Sequence, residues 1–238
     1  MPERVLIVED EPAISDIVAF NLRRAGYEVL LASDGEGGLR LALEGDPDLV
    51  LLDVMLPGLD GIGLCRRVRE TSQVPILMMS ARGDGLDVVA GLEAGADDYV
   101  VKPVDDFVML ARIRSLLRRA SYPPAGRHST DPDPADRAGE PDAAGTVTFG
   151  DLAIDTLGMV VTVAGQPVAL TPTELRLLLE LAAHPGIVLS RHTLLRNVWD
   201  SGWNGDSRVV GLCVQRLRKK IGEERIETVR GFGYKLVR

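Results

Sequence analysis

The 238-residue sequence predicts a doubly wound α/β domain followed by a smaller α+β domain. The first prediction depends on five apolar runs that alternate with amphipathic stretches within residues 1–120, a pattern typical of parallel strands joined by helices. The second depends on residues 146–238, where short β-type runs precede three helical stretches and a final hairpin pattern. The chain is long enough for two domains that each form a core of their own.

The five strand candidates of the first domain are short and mostly apolar: Val5–Val8, Tyr27–Leu31, Leu49–Leu52, Ile76–Met79 and Tyr99–Val101. The helix candidates follow them, at about 12–25, 35–45, 60–71, 84–94 and 105–119. Pro12 suits a first helical turn, and Gly26 and Gly45 suit helix ends. Five βα units in this order predict a five-stranded parallel sheet with right-handed crossovers.

The net charge of −8 is unevenly distributed along the chain. Residues 1–120 carry 13 Lys/Arg and 21 Asp/Glu, whereas residues 207–238 carry nine Lys/Arg and three Asp/Glu, a net charge of +6. This asymmetry indicates two separate tasks, with an anionic partner for the basic segment. No apolar run approaches 18 residues, Met1–Arg4 lacks the basic start of a signal peptide, and Cys65 and Cys213 have no metal or redox spacing. We therefore expect a reduced, cytoplasmic protein without a membrane partner.

Polar and charged residues follow the ends of the predicted strands. The first strand leads into Glu9-Asp10-Glu11, the third into Asp53, the fourth into Ser80 and the fifth into Lys102-Pro103. Carboxylates at neighbouring strand ends repel each other unless a hard cation such as Mg²⁺ lies between them. An ammonium group and a hydroxyl would then hold further oxygens of a phosphoryl group. The pattern fits phosphoryl transfer to a carboxylate, although Asp53 taken alone could equally cap a turn.

Five ordered motifs make residues 1–120 resemble the receiver domain of two-component response regulators, which has a flavodoxin-like fold. The motifs are Glu9-Asp10, Asp53 with Met55-Leu56-Pro57 and Asp60-Gly61, Ser80-Ala81, Gly95-Ala96-Asp97-Asp98-Tyr99 and Lys102-Pro103. The resemblance implies that Asp53 is the phosphoacceptor. It also implies a Mg²⁺ site formed by Asp10, Asp53 and the backbone carbonyl of Met55, with a contribution through water from Glu9.

The same resemblance gives the other motifs roles in binding and sensing the phosphoryl group. It implies that Lys102 contacts this group, that Ser80 and Tyr99 form a switch pair, and that a cis peptide bond precedes Pro103. From the residues alone, Ser80 could be an ordinary loop hydroxyl and Tyr99 could serve only the core. Likewise, Lys102-Pro103 could be a plain turn, and Glu9-Asp10 could be an acidic pair favoured at a helix N-terminus.

An enzyme with an aspartyl nucleophile is the alternative interpretation of Asp53. A haloacid-dehalogenase-like phosphatase needs a second aspartate two residues after the nucleophile, and that position here is Met55. The sequence also has no G-x-x-x-x-G-K-S/T loop for ATP. We therefore predict that the chain is not an enzyme and receives its phosphoryl group from a histidine kinase or a small phosphodonor.

Residues 121–145 contain mostly Pro, Ala, Gly and Asp and show no apolar periodicity. Such a segment cannot bury enough apolar surface to offset the entropy of ordering, so we predict a mobile, acidic linker. Long connections without secondary structure are uncommon inside compact domains. The predicted domains are therefore residues 1–120 and 146–238.

The second domain carries signals for a small sheet, three helices and a hairpin. Thr171-Pro172-Thr173-Glu174 is a capping box that opens a helix through about Ala183, and Ser190 caps a second helix that ends near Trp199. Ser207–Ile221 is the third helix. The predicted strands are Val147–Phe149, Leu152–Asp155, Met159–Val163, Val168–Leu170, Ile226–Val229 and Tyr234–Val237.

The third helix and the final hairpin are rich in arginine and lysine. Such a helix can enter the major groove of DNA, and a basic hairpin can hold phosphates or reach the minor groove. From the residues alone, a solvated basic face is the alternative. The order of elements, with the segments 216–220 and 228–234, resembles the winged-helix effector domain of the OmpR/PhoB class. The DNA contacts implied by this resemblance are Arg208, Arg216, Arg218, Lys219, Thr228 and Arg230. The four of them that lie on the third helix are expected to face largely outward.

Two features of the second domain qualify this resemblance. In the family, the segment that matches Asp200–Asp206, with Trp199 and Trp203, can touch RNA polymerase, although both tryptophans could equally serve packing. Gly211 and Cys213 replace the Asp and His commonly seen on the third helix. Base preferences at these two positions therefore cannot be carried over from the family.

A symmetric receiver dimer is expected on activation, because one receiver face in the family carries inter-subunit ion pairs. The residues expected on this face are Val88, Asp97, Asp98, Val108, Arg112 and Arg118 or Arg119. Val88 and Val108 align with a Lys–Glu pair of many relatives, and two valines can meet as an apolar contact instead. The alternative is that both valines pack inside their own receiver.

These predictions describe a phosphorylation-dependent, DNA-binding transcriptional regulator of a two-component system. Its expected partners are a sensor histidine kinase, promoter DNA with direct repeats, RNA polymerase and a second copy of the chain. The alternative is an interaction module whose receiver docks partners without phosphorylation and whose DNA binding is constitutive.

Overall fold

The computed structural model describes residues 2–80, 85–121, 145–199 and 207–237, without the side chains at 85, 86, 119 and 121. The chain divides into two compact units, Met1–Ala120 and Ser121–Arg238. The predicted linker between Ser121 and Gly145 lies outside the described residues, as do the Asp200–Asp206 loop with Trp203 and the side chain of Arg119.

The first unit is built on a five-stranded parallel sheet with the strand order β2-β1-β3-β4-β5. The strands are β1 (Arg4–Val8), β2 (Glu28–Ala32), β3 (Leu49–Asp53), β4 (Ile76–Ser80) and β5 (Asp98–Val101). The helices are α1 (Pro12–Arg24), α2 (Gly35–Glu44), α3 (Gly61–Arg69), α4 (Gly85–Ala94) and α5 (Asp106–Ser121). This architecture confirms the predicted doubly wound α/β fold.

The inner strands are buried on both faces, which explains their continuous apolar runs. Every residue of β3 and β4 is buried, including Asp53 and Ser80 at their carboxyl ends. One face of the sheet packs against α1 and α5 through Val5, Ile7, Leu22, Leu49, Leu51, Leu77, Met109 and Ile113. The strand order changes direction between β1 and β3, and such a switch point opens a crevice at the carboxyl ends of the strands.

Helix starts near this crevice are fixed by small and acidic residues. Asp60 caps α3, since its Oδ1 accepts a hydrogen bond from the backbone N–H of Gly63 at 2.6 Å. A Cβ atom at Gly61 would lie 2.0 Å from the carbonyl oxygen of Asp53. Glycine at this position therefore allows α3 to begin directly against the end of β3.

In its described residues, the second unit contains two antiparallel sheets, three longer helical segments and a short 3-10 helix (Glu223–Arg225). The first sheet has β6 (Thr146–Phe149), β7 (Leu152–Asp155), β8 (Val160–Val163) and β9 (Gln166–Pro167) in sequence order. The second has the order β10-β12-β11, with β10 (Leu189–Ser190), β11 (Ile226–Val229) and β12 (Gly233–Leu236). The helices are α6 (Pro172–Ala182), α7 (Arg191–Leu194), which continues as a π-helical turn (Leu195–Trp199), and α8 (Arg208–Ile221).

The order of sheet, three helices and hairpin confirms the predicted α+β winged-helix architecture. The fourth strand of the first sheet was predicted at Val168–Leu170, and this is wrong, because the strand is Gln166–Pro167. Val168 still donates its backbone N–H to the carbonyl oxygen of Val161 at 2.8 Å. The short strand Leu189–Ser190 had no counterpart in the sequence prediction. None of the helices in the described ranges combines the length and the hydropathy that a membrane span requires.

Candidate functional site

Three carboxylates meet at the carboxyl ends of β1 and β3. Glu9 and Asp10 follow β1, Asp53 ends β3, and one oxygen from each lies within 4.8 Å of the others. Glu9 and Asp53 are buried, whereas Asp10 is exposed. The backbone N–H of Met55 donates to Oδ1 of Asp53 at 3.1 Å and fixes the orientation of this carboxylate. Hard oxygen donors at this separation fit a Mg²⁺ ion, which prefers carboxylates and retains water ligands.

Lys102 extends its ammonium group into this carboxylate cluster. Its Nζ lies 2.6 Å from Oε2 of Glu9 and 2.7 Å from Oδ2 of Asp53. Burial alone would lower the pKa of Lys102, but hydrogen bonds with both carboxylates outweigh it and raise the pKa. The peptide bond between Lys102 and Pro103 is cis, as predicted. The direct ion pair with Glu9 was not predicted, since the sequence indicated that Glu9 acts mainly through water.

The pKa of Glu9 shows how far the charges of this cluster compensate one another. Burial raises the pKa of Glu9, the hydrogen bond to Lys102 lowers it, and the negative charge of Asp53 raises it, with an overall shift upward. A single ammonium group therefore compensates the buried carboxylates only in part. An added cation would be favoured here by the same electrostatics.

The predicted switch pair is in direct contact. Ser80 is fully buried at the end of β4, and Tyr99 lies on the neighbouring strand β5. A hydrogen bond joins their side chains, and burial raises the pKa of the Tyr99 phenol above its usual value. This hydrogen bond therefore links the carboxyl end of β4 to β5.

Some of the residues expected on the dimer face are buried inside the receiver, and others are exposed. Asp97 is fully buried and pairs with Arg69 of the same receiver, at 2.9 Å between Oδ2 and Nη2, so its predicted place on this face is wrong. Asp98 is also buried and pairs with Arg112 at 3.0 Å within the receiver.

The two valines expected to meet across this face also differ from each other. Val88 is 6% exposed and packs inside its own receiver, so its predicted contact with Val108 of a second copy is wrong. Val108 is 45% exposed, and Arg118 on α5 is exposed as well. Among the expected residues whose side chains the structure describes, these two are the exposed ones.

Four of the six expected DNA contacts are exposed: Arg208, Lys219, Thr228 and Arg230. Arg218 binds the hairpin instead, since its guanidinium donates to the carbonyl oxygen of Ile226 and, at 2.7 Å, to Oγ1 of Thr228. This contact holds the hairpin against α8. The sequence placed Arg218 largely outward and did not indicate this contact, and its role as a DNA contact stays a prediction.

Arg216 is also turned inward, contrary to the prediction. Its side chain is 12% exposed, and its Nε lies 3.4 Å from Oε1 of Glu174 on α6. Lys220 Nζ lies 2.7 Å from Oε2 of the same carboxylate. From the sequence, Glu174 was predicted only as part of the capping box, and this capping box is confirmed. The sequence did contain an indication that Arg216 faces inward. Arg216 follows the buried residues Val209 and Cys213 at helical spacing, so it lies on their side of the helix.

Trp199 is 2% exposed at the end of the π-helical turn. This burial agrees with the packing role that was the alternative to a polymerase contact. No position can be given to Trp203, which lies outside the described residues.

Comparisons with known proteins agree with this geometry. Residues 5–114 match the family model of the response regulator receiver domain, and residues 165–236 match that of the C-terminal domain of transcriptional regulatory proteins. Over 232 residues the chain is 56% identical to the transcriptional regulatory protein CseB of Streptomyces coelicolor, covering 98% of this chain and 97% of that protein. It is 40% identical over 240 residues to the DNA-binding response regulator MtrA of Mycolicibacterium smegmatis, covering 99% and 97% of the two chains.

Solved structures show the same relationship. A mutant of the protein RitR superposes with a TM-score of 0.73 at 26% identity, over 98% of both chains. DrrB of Thermotoga maritima, described as an OmpR/PhoB homologue, gives a TM-score of 0.50 at 31% identity over the whole of both chains. The chain therefore belongs to the response regulators of the OmpR/PhoB class, transcriptional regulators that join a receiver domain to a winged-helix DNA-binding domain.

Proposed function

We propose that Asp53 accepts a phosphoryl group from a sensor histidine kinase in a Mg²⁺-dependent reaction, and that this favours receiver dimers and promoter binding. One observation carries the proposal: Asp53 shares its strand-end crevice with two carboxylates within 4.8 Å and with the ammonium of Lys102 at 2.7 Å. A receiver and a DNA-binding domain in one chain imply a histidine kinase and DNA as partners.

In the proposed reaction, a carboxylate oxygen of Asp53 attacks the phosphorus atom of a phosphohistidine. An O–P bond forms to give an aspartyl phosphate, the P–N bond breaks, and the imidazole leaves with the electron pair. Asp10, Asp53 and the Met55 carbonyl would hold Mg²⁺, with Glu9 acting through water. The bound ion would supply positive charge for the phosphoryl oxygens.

Two neighbouring groups would then respond to the new phosphoryl group. Lys102 already contacts the Asp53 carboxylate, so its ammonium is placed to bind a phosphoryl oxygen after transfer. The Ser80 hydroxyl could donate to another oxygen. Since Ser80 is hydrogen-bonded to Tyr99, this donation would change the contacts of Tyr99 and couple the site to β5.

Phosphorylation of the full-length protein by acetyl phosphate tests the proposal. In the presence of MgCl₂ we expect one phosphoryl group per chain by intact mass, and none after Asp53→Asn substitution or with excess EDTA. The matched control is Asp34→Asn, because Asp34 caps α2 and asparagine caps as well. This control should be labelled as wild type is.

Two outcomes would contradict the proposal. Labelling that persists in Asp53→Asn would place the phosphoryl group on another residue, and labelling that persists in EDTA would remove the role of the metal. If labelling is normal but the affinity for DNA is the same before and after it, the alternative of constitutive DNA binding is favoured.

For the second unit we propose that the exposed face of α8 enters the major groove and that Arg230 on the hairpin approaches the minor groove. The support is the exposure of Arg208, Lys219 and Arg230 and the net charge of +6 over residues 207–238. Promoter sites arranged as direct repeats, and a polymerase contact through the Asp200–Asp206 loop, belong to the same proposal.

A further inference from the structure

We propose that Arg191, which starts α7, binds a DNA phosphate, that Tyr234 holds it in position, and that glycine at position 211 keeps its charge available. The inference deepens the proposed DNA contact of α8 and depends on it.

Tyr234 orients the guanidinium of Arg191 in two ways. Nη2 of Arg191 donates a hydrogen bond to the Tyr234 hydroxyl at 3.2 Å, and the guanidinium carbon lies 5.3 Å from the centre of the Tyr234 ring. Tyr234 is itself buried within β12, whereas Arg191 is exposed. A rigid side chain therefore fixes an exposed cation, which reduces the conformational entropy lost when that cation binds a ligand.

The fixed guanidinium lies beside the exposed face of α8. A Cβ atom at Gly211 would lie 3.3 Å from the same Tyr234 hydroxyl that Arg191 contacts. Gly211 falls between the exposed residues Arg208 and Gln215 at helical spacing, so it belongs to their face of the helix. A DNA duplex bound to this face would have its backbone close to Arg191.

The charge of Arg191 has no counter-ion in the described ranges. Its contacts there are the hydroxyl and the ring of Tyr234, which are both neutral groups. Other basic residues of this unit are already paired: Arg216 and Lys220 with Glu174, and Arg225 with Asp151. Arg191 therefore offers a full positive charge to a phosphate oxygen.

Gly211 matters because an acidic side chain at that position would compete for the guanidinium of Arg191. An aspartate here would place a carboxylate against the Tyr234 hydroxyl and within reach of the Arg191 guanidinium. The two charges would pair within the domain, and a phosphate would then have to compete for the guanidinium. Glycine removes this competitor.

The test measures the salt dependence of binding for the full-length protein on two duplexes. One is the duplex that the wild-type chain enriches from a random-sequence pool, and the other is a scrambled duplex of the same length. Arg191→Gln should weaken binding to both, by roughly tenfold at low salt. It should also lower the slope of log K against log salt by about one, as expected for one lost phosphate contact.

Arg196→Gln is the matched control, because Arg196 is exposed on the continuation of α7 and its Nε contacts the neighbouring Asn197 instead of the α8 face. This variant should keep the wild-type slope. Tyr234→Phe keeps the ring and the charge but loses the hydroxyl, so we expect weaker binding with an unchanged slope. Thermal unfolding of each variant excludes a general loss of structure.

Comparing Gly211→Asp with Gly211→Asn separates the effect of the negative charge from the effect of side-chain size, because the two side chains are nearly equal in size. The aspartate variant should bind less tightly than the asparagine variant, and this difference should shrink markedly when Arg191 is also replaced by glutamine. An undiminished difference would overturn the role of Gly211. A wild-type slope in Arg191→Gln would overturn the phosphate contact, whereas failure of the wild-type chain to bind any duplex would overturn the DNA contact of α8 as well.

Discussion

The carboxylate of Glu174 joins the start of α6 to α8. Its Oε2 accepts hydrogen bonds from the backbone N–H of Thr171 at 3.0 Å and from Nζ of Lys220 at 2.7 Å. Its Oε1 lies 3.4 Å from Nε of Arg216. Because Glu174 is 1% exposed, its charge depends on these partners for compensation. Arg216 therefore holds α8 against α6. A helix held in this way can present its exposed residues in a fixed orientation.

We expect Arg216→Ala to lower the free energy of unfolding of the second unit by about 3 kcal/mol, because it removes a partner of a buried carboxylate. Gln215→Ala, an exposed neighbour on the same helix, should change it by less than about 0.5 kcal/mol. Urea unfolding followed by tryptophan fluorescence measures this unit alone, since both tryptophans of the chain lie in it. Unchanged stability with a selective loss at guanine positions would restore the base-reading role predicted from the sequence.

Residues at strand ends could be placed from the sequence, whereas buried ion pairs could not. Asp53 and Ser80 end parallel strands and Lys102 follows one. Such strands end at one edge of a sheet, so the proximity of these residues follows from the fold. The pairs of Glu174 with Arg216 and of Asp97 with Arg69 join segments far apart in the chain. Apolar periodicity alone gives no indication of such pairing.

Each observed strand of the receiver begins and ends within one residue of its predicted bounds. This agreement arises because buried parallel strands appear in the sequence as continuous apolar runs. The short strands of the second unit leave no such signal. Gln166–Pro167 and Leu189–Ser190 have two residues each and exist only through pairing with β8 and β12. Their positions depend on tertiary contacts, which the local pattern does not contain.

One ion pair ties the two sheets of the second unit together. Oδ1 of Asp151, in the turn between β6 and β7, lies 2.7 Å from Nη2 of Arg225, which precedes β11. The hydrogen bond from Arg225 lowers the pKa of Asp151 below its usual value of 3.8. Since the folded-state pKa is the lower one, the pair stabilises the fold above the unfolded-state pKa, and this contribution is lost as the pH falls through the folded-state pKa.

We therefore expect Asp151→Asn to destabilise the second unit slightly at pH 6, and the difference from wild type to disappear in acid below the folded-state pKa of Asp151. Because the aspartate is exposed, added salt should also reduce the difference. Glu223→Gln removes a nearby exposed carboxylate and serves as the control. The same urea titration, repeated from pH 6 down to pH 3, measures the effect. A difference that stays constant with pH would mean that the pair does not act through its charge.

At the scale of the whole molecule, the proposed activation joins two chains, and the receiver limits which residues can take part in such a dimer. Asp97 and Asp98 are already paired with Arg69 and Arg112 inside one receiver. Inter-subunit ion pairs through these aspartates would first have to break buried pairs, which is unfavourable. The exposed Val108 on α5 needs no such rearrangement, and burying its side chain is favourable.

We therefore expect Val108→Glu to weaken the dimer of the phosphorylated full-length protein while leaving the stability of the monomer within about 0.5 kcal/mol of wild type. Val88→Glu should act differently, because it forces a charge into the receiver interior and destabilises the fold by about 2 kcal/mol or more. Ile17→Glu is the control, since Ile17 is an exposed apolar residue on α1. Sedimentation velocity after treatment with acetyl phosphate, with thermal unfolding in parallel, distinguishes the three variants. If Val108→Glu dimerises as tightly as wild type, association uses a surface other than the exposed face of α5, because a buried glutamate at that position would have to lose its hydration.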